Sequence, residues 1–348
     1  MTTETAAFAT LFTLLCIVML TLPFGPTWSE WRRPTDAGPL PVPEDGSQEP
    51  MYLADRFRER MALLRPGGPE AGYQPIGEVD LLDTAPDALH RNLPMLAVEP
   101  VRTLGTVHNL RPLYATADVE MRGGGMFSEI MSEGRLDLGP RSRVAGWAHA
   151  DKSVHLGEHS VAVQRVSSGG DVQLDRGCCF ERVHAPVVRF GRGVNAVLPD
   201  AVQRVRADLA ELPGAVKRTE TLYRVDGDCA LPEGCHFTGS LVVTGTLSIG
   251  AGTLVEGDVK ARKGVLVGPG ASITGSVICD NGIHVMRDAE IGGPLVSETH
   301  LLLAAGVRLG ALDAPTTVNA GAIIAEEGVV AHGTVWARQA GVVWGVAG

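Results

Sequence analysis

The stretch VEGDVKARKGVLVGPGASITGSV, residues 255–277, sets Val255 eighteen residues before Ile273 and Val259 eighteen before Val277. The same step runs outward in both directions. Leu231, Ile249, Val267, Val285 and Leu303 form one series, and Phe237, Val255, Ile273, Ile291 and Leu309 form a second. Leu241, Val259, Val277 and Leu295 form a third. A fourth, Cys229, Leu247, Val265, Ile283 and Leu301, leads the first by two residues. Gly239, Gly257, Gly275 and Gly293 keep the same frame. Apolar residues returning to fixed slots at a long period mean stacked coils, each burying its inward side chains on its neighbours. Local spacings of two, four and six do not fit a helix of 3.6 residues per turn. The expected fold is all-β, a β-solenoid with about 18 residues per coil.

An earlier part of the chain repeats the frame. Leu136, Val154 and Val172 are eighteen apart, as are Leu138, Leu156 and Leu174, and Val144, Ala162 and Phe180. One coil upstream, Val119, Met121, Phe127 and Met131 fit after a one-residue slip. The arrays also begin alike, with Leu113-Tyr114 and Asp118-Val119 against Leu222-Tyr223 and Asp228-Cys229. The reading is therefore two solenoid blocks, 113–192 and 222–348, joined by a connector at 193–221. Within the connector, Val202, Val205, Leu209 and Leu212 mark an amphipathic helical face. Pro199-Asp200 suits its start and Pro213-Gly214 its stop.

Composition fits narrow coils. The 43 glycines suit corners where backbone passes close to backbone, and aromatics make up only 5%. A net charge of −10 without a basic, aromatic-interleaved stripe argues against nucleic acid as a partner. Of the six cysteines, Cys16 lies in an apolar run, and Cys229 and Cys279 occupy mostly apolar slots, where they read as small buried hydrophobes. Cys178-Cys179 is a vicinal pair and Cys235 falls at a coil corner. No C-x-x-C spacing supports a zinc or redox motif.

The N-terminus reads as a membrane anchor. After a short tail at 1–5, residues 6–24 form an uncharged, mostly apolar run of about the length a transmembrane helix needs. Trp28, Trp31, Arg32 and Arg33 follow as membrane-interface residues. The tail holds no Lys or Arg, so the positive-inside rule places the following chain in the cytoplasm. A start without positive charge and a poor cleavage site argue against a signal peptide. Residues 25–50 form a Pro-rich linker. At 51–65 a helix is expected, with Leu53, Phe57, Met61 and Leu64 on one face and Arg56, Arg58, Arg60 and Arg65 adding charge. Such a helix either lies on anionic lipid or packs on the solenoid. Residues 66–112 read as an irregular lead-in.

Little chemistry is written in the sequence. The histidines, among them His149, His155, His159, His184, His284 and His300, are scattered over many coil slots and read as satisfied or solvated. Gly268-Pro269-Gly270 equals Gly250-Ala251-Gly252 one coil earlier, so it is a repeat corner and not a phosphate loop. No nucleophile elbow or Ser/His/Asp grouping stands out. No catalytic residue, cofactor or metal ligand is expected.

The units Val255-Glu-Gly-Asp-Val-Lys-Ala261 and Val265-Leu-Val-Gly-Pro-Gly-Ala271 resemble the bactofilins, bacterial polymer-forming cytoskeletal proteins. The resemblance is strong over 229–313, weaker over 113–192 and absent from 1–112. It implies a right-handed β-helix that stacks end to end into filaments at the inner membrane. Two blocks and a membrane span depart from that pattern. The function expected is a single-pass, membrane-anchored scaffold at the bacterial inner membrane. It either self-assembles or positions envelope or polysaccharide-synthesis machinery, such as an exopolysaccharide enzyme. The apolar C-terminus, at Val342, Val343 and Trp344, suits end-to-end assembly by strand addition. The alternative is that the two blocks stack on each other and bury one end each. An apolar residue at every sixth position from Ile249 to Ile291 also resembles hexapeptide-repeat acyltransferases, which would imply a left-handed β-helix, a trimer and a catalytic histidine between coils. A tethered adaptor without polymerisation is the third reading.

Overall fold

In the C-terminal block the eighteen-residue step becomes parallel strand register. Cys229 pairs with Leu247, Leu247 with Val265, Val265 with Ile283 and Ile283 with Leu301. Phe237, Val255, Ile273, Ile291 and Leu309 align in the same manner, and so do Leu241, Val259, Val277 and Leu295. The computed structural model describes residues 3–24, 28, 32, 49–68, 72–77, 93–193, 205–206 and 214–345. It shows an all-β solenoid of about 13 turns with about 18 residues each. The core is the expected aliphatic ladder: Leu231, Phe237, Ile249, Val255, Val259, Val267, Ile273, Val277, Val285, Ile291, Leu295 and Leu303 are all buried. Full burial of such a side chain contributes about 1.5–3 kcal/mol.

Glycine fits the corner where consecutive coils touch. A Cβ on Gly275 would lie 2.4 Å from the Gly257 carbonyl oxygen, and one on Gly257 would lie 2.2 Å from that of Gly239. Bare Cα atoms therefore stack on one another at this edge. Beside them, Asp258 accepts hydrogen bonds from the Ser276 amide (2.8 Å) and hydroxyl (2.7 Å) one coil on. These bonds hold its carboxyl below the usual range.

The N-terminal block starts earlier than the sequence suggests. Strands at Met95–Ala97, Val101–Thr103 and Val107–Asn109 pair in parallel with the coil beginning at Leu113. Gln74–Ile76 pairs with Met95–Ala97 in turn. Part of the expected irregular lead-in at 66–112 is thus solenoid. Met95 and Val101 stand eighteen residues before Leu113 and Val119, but Val107 aligns with Gly125, so the apolar frame breaks in one slot of this coil. The one-residue slip holds for Val119, Met121 and Phe127, which pair with Leu136, Leu138 and Val144, but register shifts between Phe127 and Glu129, so Met131 pairs with His149 at the full eighteen. The helix expected over 199–212 lies mainly outside the described residues. Its described pair, Val205–Arg206, is instead a strand parallel to Cys235–His236, where tertiary pairing overrides helical spacing.

The helix at Tyr52–Leu64 packs on the N-terminal block. Its Ala54, Phe57 and Met61 are buried with Tyr73, Leu96, Tyr114, Met131 and Trp147, while Leu53 and Leu64 pack at the margin. Phe57 meets Tyr114 and Trp147 edge-on, each at 5.6 Å between ring centroids. Of the two expected outcomes for this helix, the solenoid takes its apolar face.

The chain divides into two units, residues 1–48 and 49–348. In the first, Thr3–Thr21 is α-helical. Among the described residues, no helix is long and apolar enough to cross a membrane. The expected span over 6–24 is present as a helix but not established as a crossing. Arg32 stacks on Trp28, with 5.1 Å from guanidinium carbon to ring centroid. Trp31 and Arg33 lie outside the described residues.

Candidate functional site: the block junction and its histidines

The two blocks meet tail to tail. The last strand of the N-terminal block, Cys179–Phe190, runs antiparallel to the last strand of the C-terminal block, Val329–Trp344. Cys179 faces Val342, Phe180 faces Gly341, Val183 faces Val335 and Phe190 faces Val329. The Val343 amide donates to the Cys178 carbonyl (2.9 Å), and the Gly177 amide donates to the Val343 carbonyl (2.9 Å). Phe180 lies on the open face of Gly341, where a Cβ would come within 2.3 Å of its ring. This corrects the expectation of a free assembly end. Val342 and Val343 are paired within the chain and Val343 is buried, while only the Trp344 side chain stays exposed. The reason is edge chemistry: two unpaired, twisted strand edges in one chain satisfy each other's N–H and C=O groups at high effective concentration.

A polar ladder crosses this junction. Residues of successive coils, Met131, His149, Ser167 and His184, stand in register, and Thr334 faces His184 from the other block. His149 Nδ1 is 2.9 Å from the Ser167 hydroxyl and Nε2 is 3.1 Å from Asp151. An ionised carboxylate only accepts, so the proton belongs on Nε2 and Ser167 donates to Nδ1. His184 Nδ1 lies 2.8 Å from the Thr334 hydroxyl. Burial lowers the pKa of both imidazoles, and Arg182 and Arg165 push that of His184 further down. Asp151 also accepts from Arg58 of the docked helix, which ties helix, ladder and junction into one network.

Ser, His and Asp in hydrogen-bonding line are also the parts of a hydrolytic relay. Here Ser167 and His149 are 3% and 2% exposed, and Arg58 holds the carboxylate. A substrate carbonyl has no approach to the hydroxyl. The arrangement serves packing and orientation.

A third histidine is held in the opposite state. His155 Nδ1 lies 2.9 Å from Asp137 and its Nε2 3.0 Å from Asp175, which is buried and also accepts from Gln173. Both ring nitrogens must donate, so the ring is an imidazolium. Its pKa is raised to about 9, chiefly by the Asp137 bond. Asp137, His155 and Gln173 are one slot in three coils.

The sequence did not reveal these groupings, although the signal was present. His149 and Ser167, and Asp137 and His155, are each eighteen apart, the spacing that defines coil neighbours. Applying the period to polar slots, as was done for apolar ones, finds them. Cys229 and Cys279 are buried, as expected for small hydrophobes, and all six cysteines are free; burial pushes the Cys178 thiol up to about 12. Comparison with family models, curated proteins and solved structures finds no match.

Proposed function

We propose that the chain is a non-catalytic, bactofilin-like scaffold acting as a tethered adaptor at the bacterial inner membrane. Its solenoid flanks, on the cytoplasmic side, position a membrane-bound enzyme of envelope or polysaccharide synthesis. The tail-to-tail junction carries this reading. A strand edge already paired is closed to strand addition, so growth through Val342–Trp344 is unavailable and the long flanks remain as recognition surface. Tethering is supported by the Thr3–Thr21 helix, whose Phe8, Leu11, Phe12, Leu15 and Leu20 are exposed, a surface costly to leave in water. Trp28 beside Arg32 fits an interface anchor.

The test combines liposome flotation with analytical ultracentrifugation of the full chain. The expected result is a small, defined species that floats with vesicles, and no flotation after removal of residues 1–24. An open-ended size distribution that Val342→Asp shrinks would replace the adaptor with an end-to-end polymer. A closed trimer would favour the acyltransferase reading.

A further inference from the structure

His284 and His300 are sixteen residues apart and sit on neighbouring coils of the C-terminal block, with Ile283 paired to Leu301. The strand register places Gly282 beside the His300 position. The His300 ring lies across that glycine, where a Cβ would come within 2.4 Å of its Cε1 and Nε2. The bare Cα thus lets His300 lean toward His284, which lies two residues further along the same strand. The two Nε2 atoms are 3.2 Å apart.

The remaining nitrogen of His300 has a support of its own. Thr299 donates its hydroxyl proton to Asn281 Oδ1 (3.1 Å) and lies 3.1 Å from His300 Nδ1. With its proton given to Asn281, the Thr299 oxygen can only accept, so the His300 proton belongs on Nδ1. This leaves the His300 Nε2 lone pair pointing at His284. The Ser297 hydroxyl, 2.6 Å from the Asn281 carbonyl and 2.9 Å from that of His300, braces the same turn.

We propose that His284 and His300 are a two-histidine site for a borderline divalent transition-metal ion, with Zn2+ as its probe. Two zinc–nitrogen bonds of about 2.0–2.1 Å meeting at a tetrahedral angle set their nitrogens about 3.3–3.4 Å apart, close to the spacing found. The Asn281–Thr299–His300 chain is the outer-shell support that metal-bound imidazoles use to fix tautomer and orientation. Among the described residues, no group of three or more His, Cys, Asp or Glu side chains gathers as a metal site. The ion therefore keeps open positions for water or for a donor from a bound molecule. His284 also lines an apolar groove of about 380 Å³ with Met286, Leu302, Ile324 and Trp344, so a molecule completing the coordination meets apolar surface there. This site revises the expectation of scattered, solvated histidines for this pair.

The experiment is isothermal titration of the untagged, chelator-stripped full chain with Zn2+ at neutral pH, with thermal unfolding as the folding control. Saturable binding is expected at one ion per chain, or one per two chains if two copies share it. His284→Asn and His300→Asn should each weaken binding at least about tenfold. Thr299→Val, which keeps both ligands, should also weaken it about tenfold. If the wild type takes up no zinc, or the double histidine variant binds as well as wild type, the pair is a neutral N–H···N hydrogen bond and the proposal fails.

Discussion

The C-terminal block holds the eighteen-residue step from Cys229 to Leu309, and the polar residues buried within it are few: Thr253, Ser297 and Thr316. The N-terminal block has the same coil but shifts register between Phe127 and Glu129 and again between Ala162 and Arg165. It buries Asn109, Arg111, Ser132, Ser142, His149, Ser160, Ser167, Ser168 and Asp175, and it carries a docked helix. The difference shows how a solenoid divides its work. A strict repeat makes every coil interchangeable and leaves its flank free. An interrupted repeat bends strands out of register and makes room for polar networks that recognise one particular neighbour. Here the neighbours are the 52–64 helix and the other block.

The largest expected effect breaks the regular block. Val267→Asp buries an unpaired charge where Val267 is fully enclosed, costing at least about 4 kcal/mol. Chemical denaturation should show it, and unchanged stability would refute the register. Next comes the junction. Phe180→Ala removes a buried ring from above Gly341 and should cost about 3–4 kcal/mol. Amide exchange should then rise along Val329–Trp344 while the Leu247–Leu303 coils stay protected. If both blocks loosen together, they are one cooperative unit and the comparison between them is too sharp.

Met61→Ala should cost about 2–3 kcal/mol and expose Trp147, with a red shift in its fluorescence. The C-terminal coils should not respond. The pH dependence should also map to the N-terminal block. His155 has its pKa raised to about 9, so its contribution is complete below about pH 6.5 and is lost as pH rises through about 9. His149 and His184 have lowered values. Below about pH 6.5 the unfolded chain binds protons that the folded chain refuses, so their contribution is lost on acidification. Melting temperature should therefore peak near neutral pH, and His155→Gln should flatten only the alkaline limb. The smallest effect expected is Asp258→Asn at an exposed corner, below about 1 kcal/mol because solvent screens the group.

Much of this architecture was legible because a fixed period is a long-range contact written in one dimension. Leu231 and Ile249 touch because every residue between them repeats. The same logic found the one-residue slip at Val119, Met121 and Phe127, and helical spacing found the apolar face of Phe57 and Met61. It did not reach Met95–Asn109, a single coil whose third apolar slot, Val107, meets Gly125. It misread Val205–Arg206, whose helical spacing lost to an available strand edge at Cys235–His236. The histidine groupings were legible in principle, being eighteen or sixteen residues apart, but polar slots vary too freely from coil to coil to announce themselves.

By itself, the sequence determined that the chain coils, at what period, and which side chains face inward. Burying an aliphatic ladder is a local rule repeated coil after coil. Only the tertiary structure decided that the two blocks close on each other tail to tail, and that Val342 and Val343 are internal partners rather than a free end. Which edge pairs with which depends on geometry accumulated over many coils and a connector, and no local pattern encodes that sum.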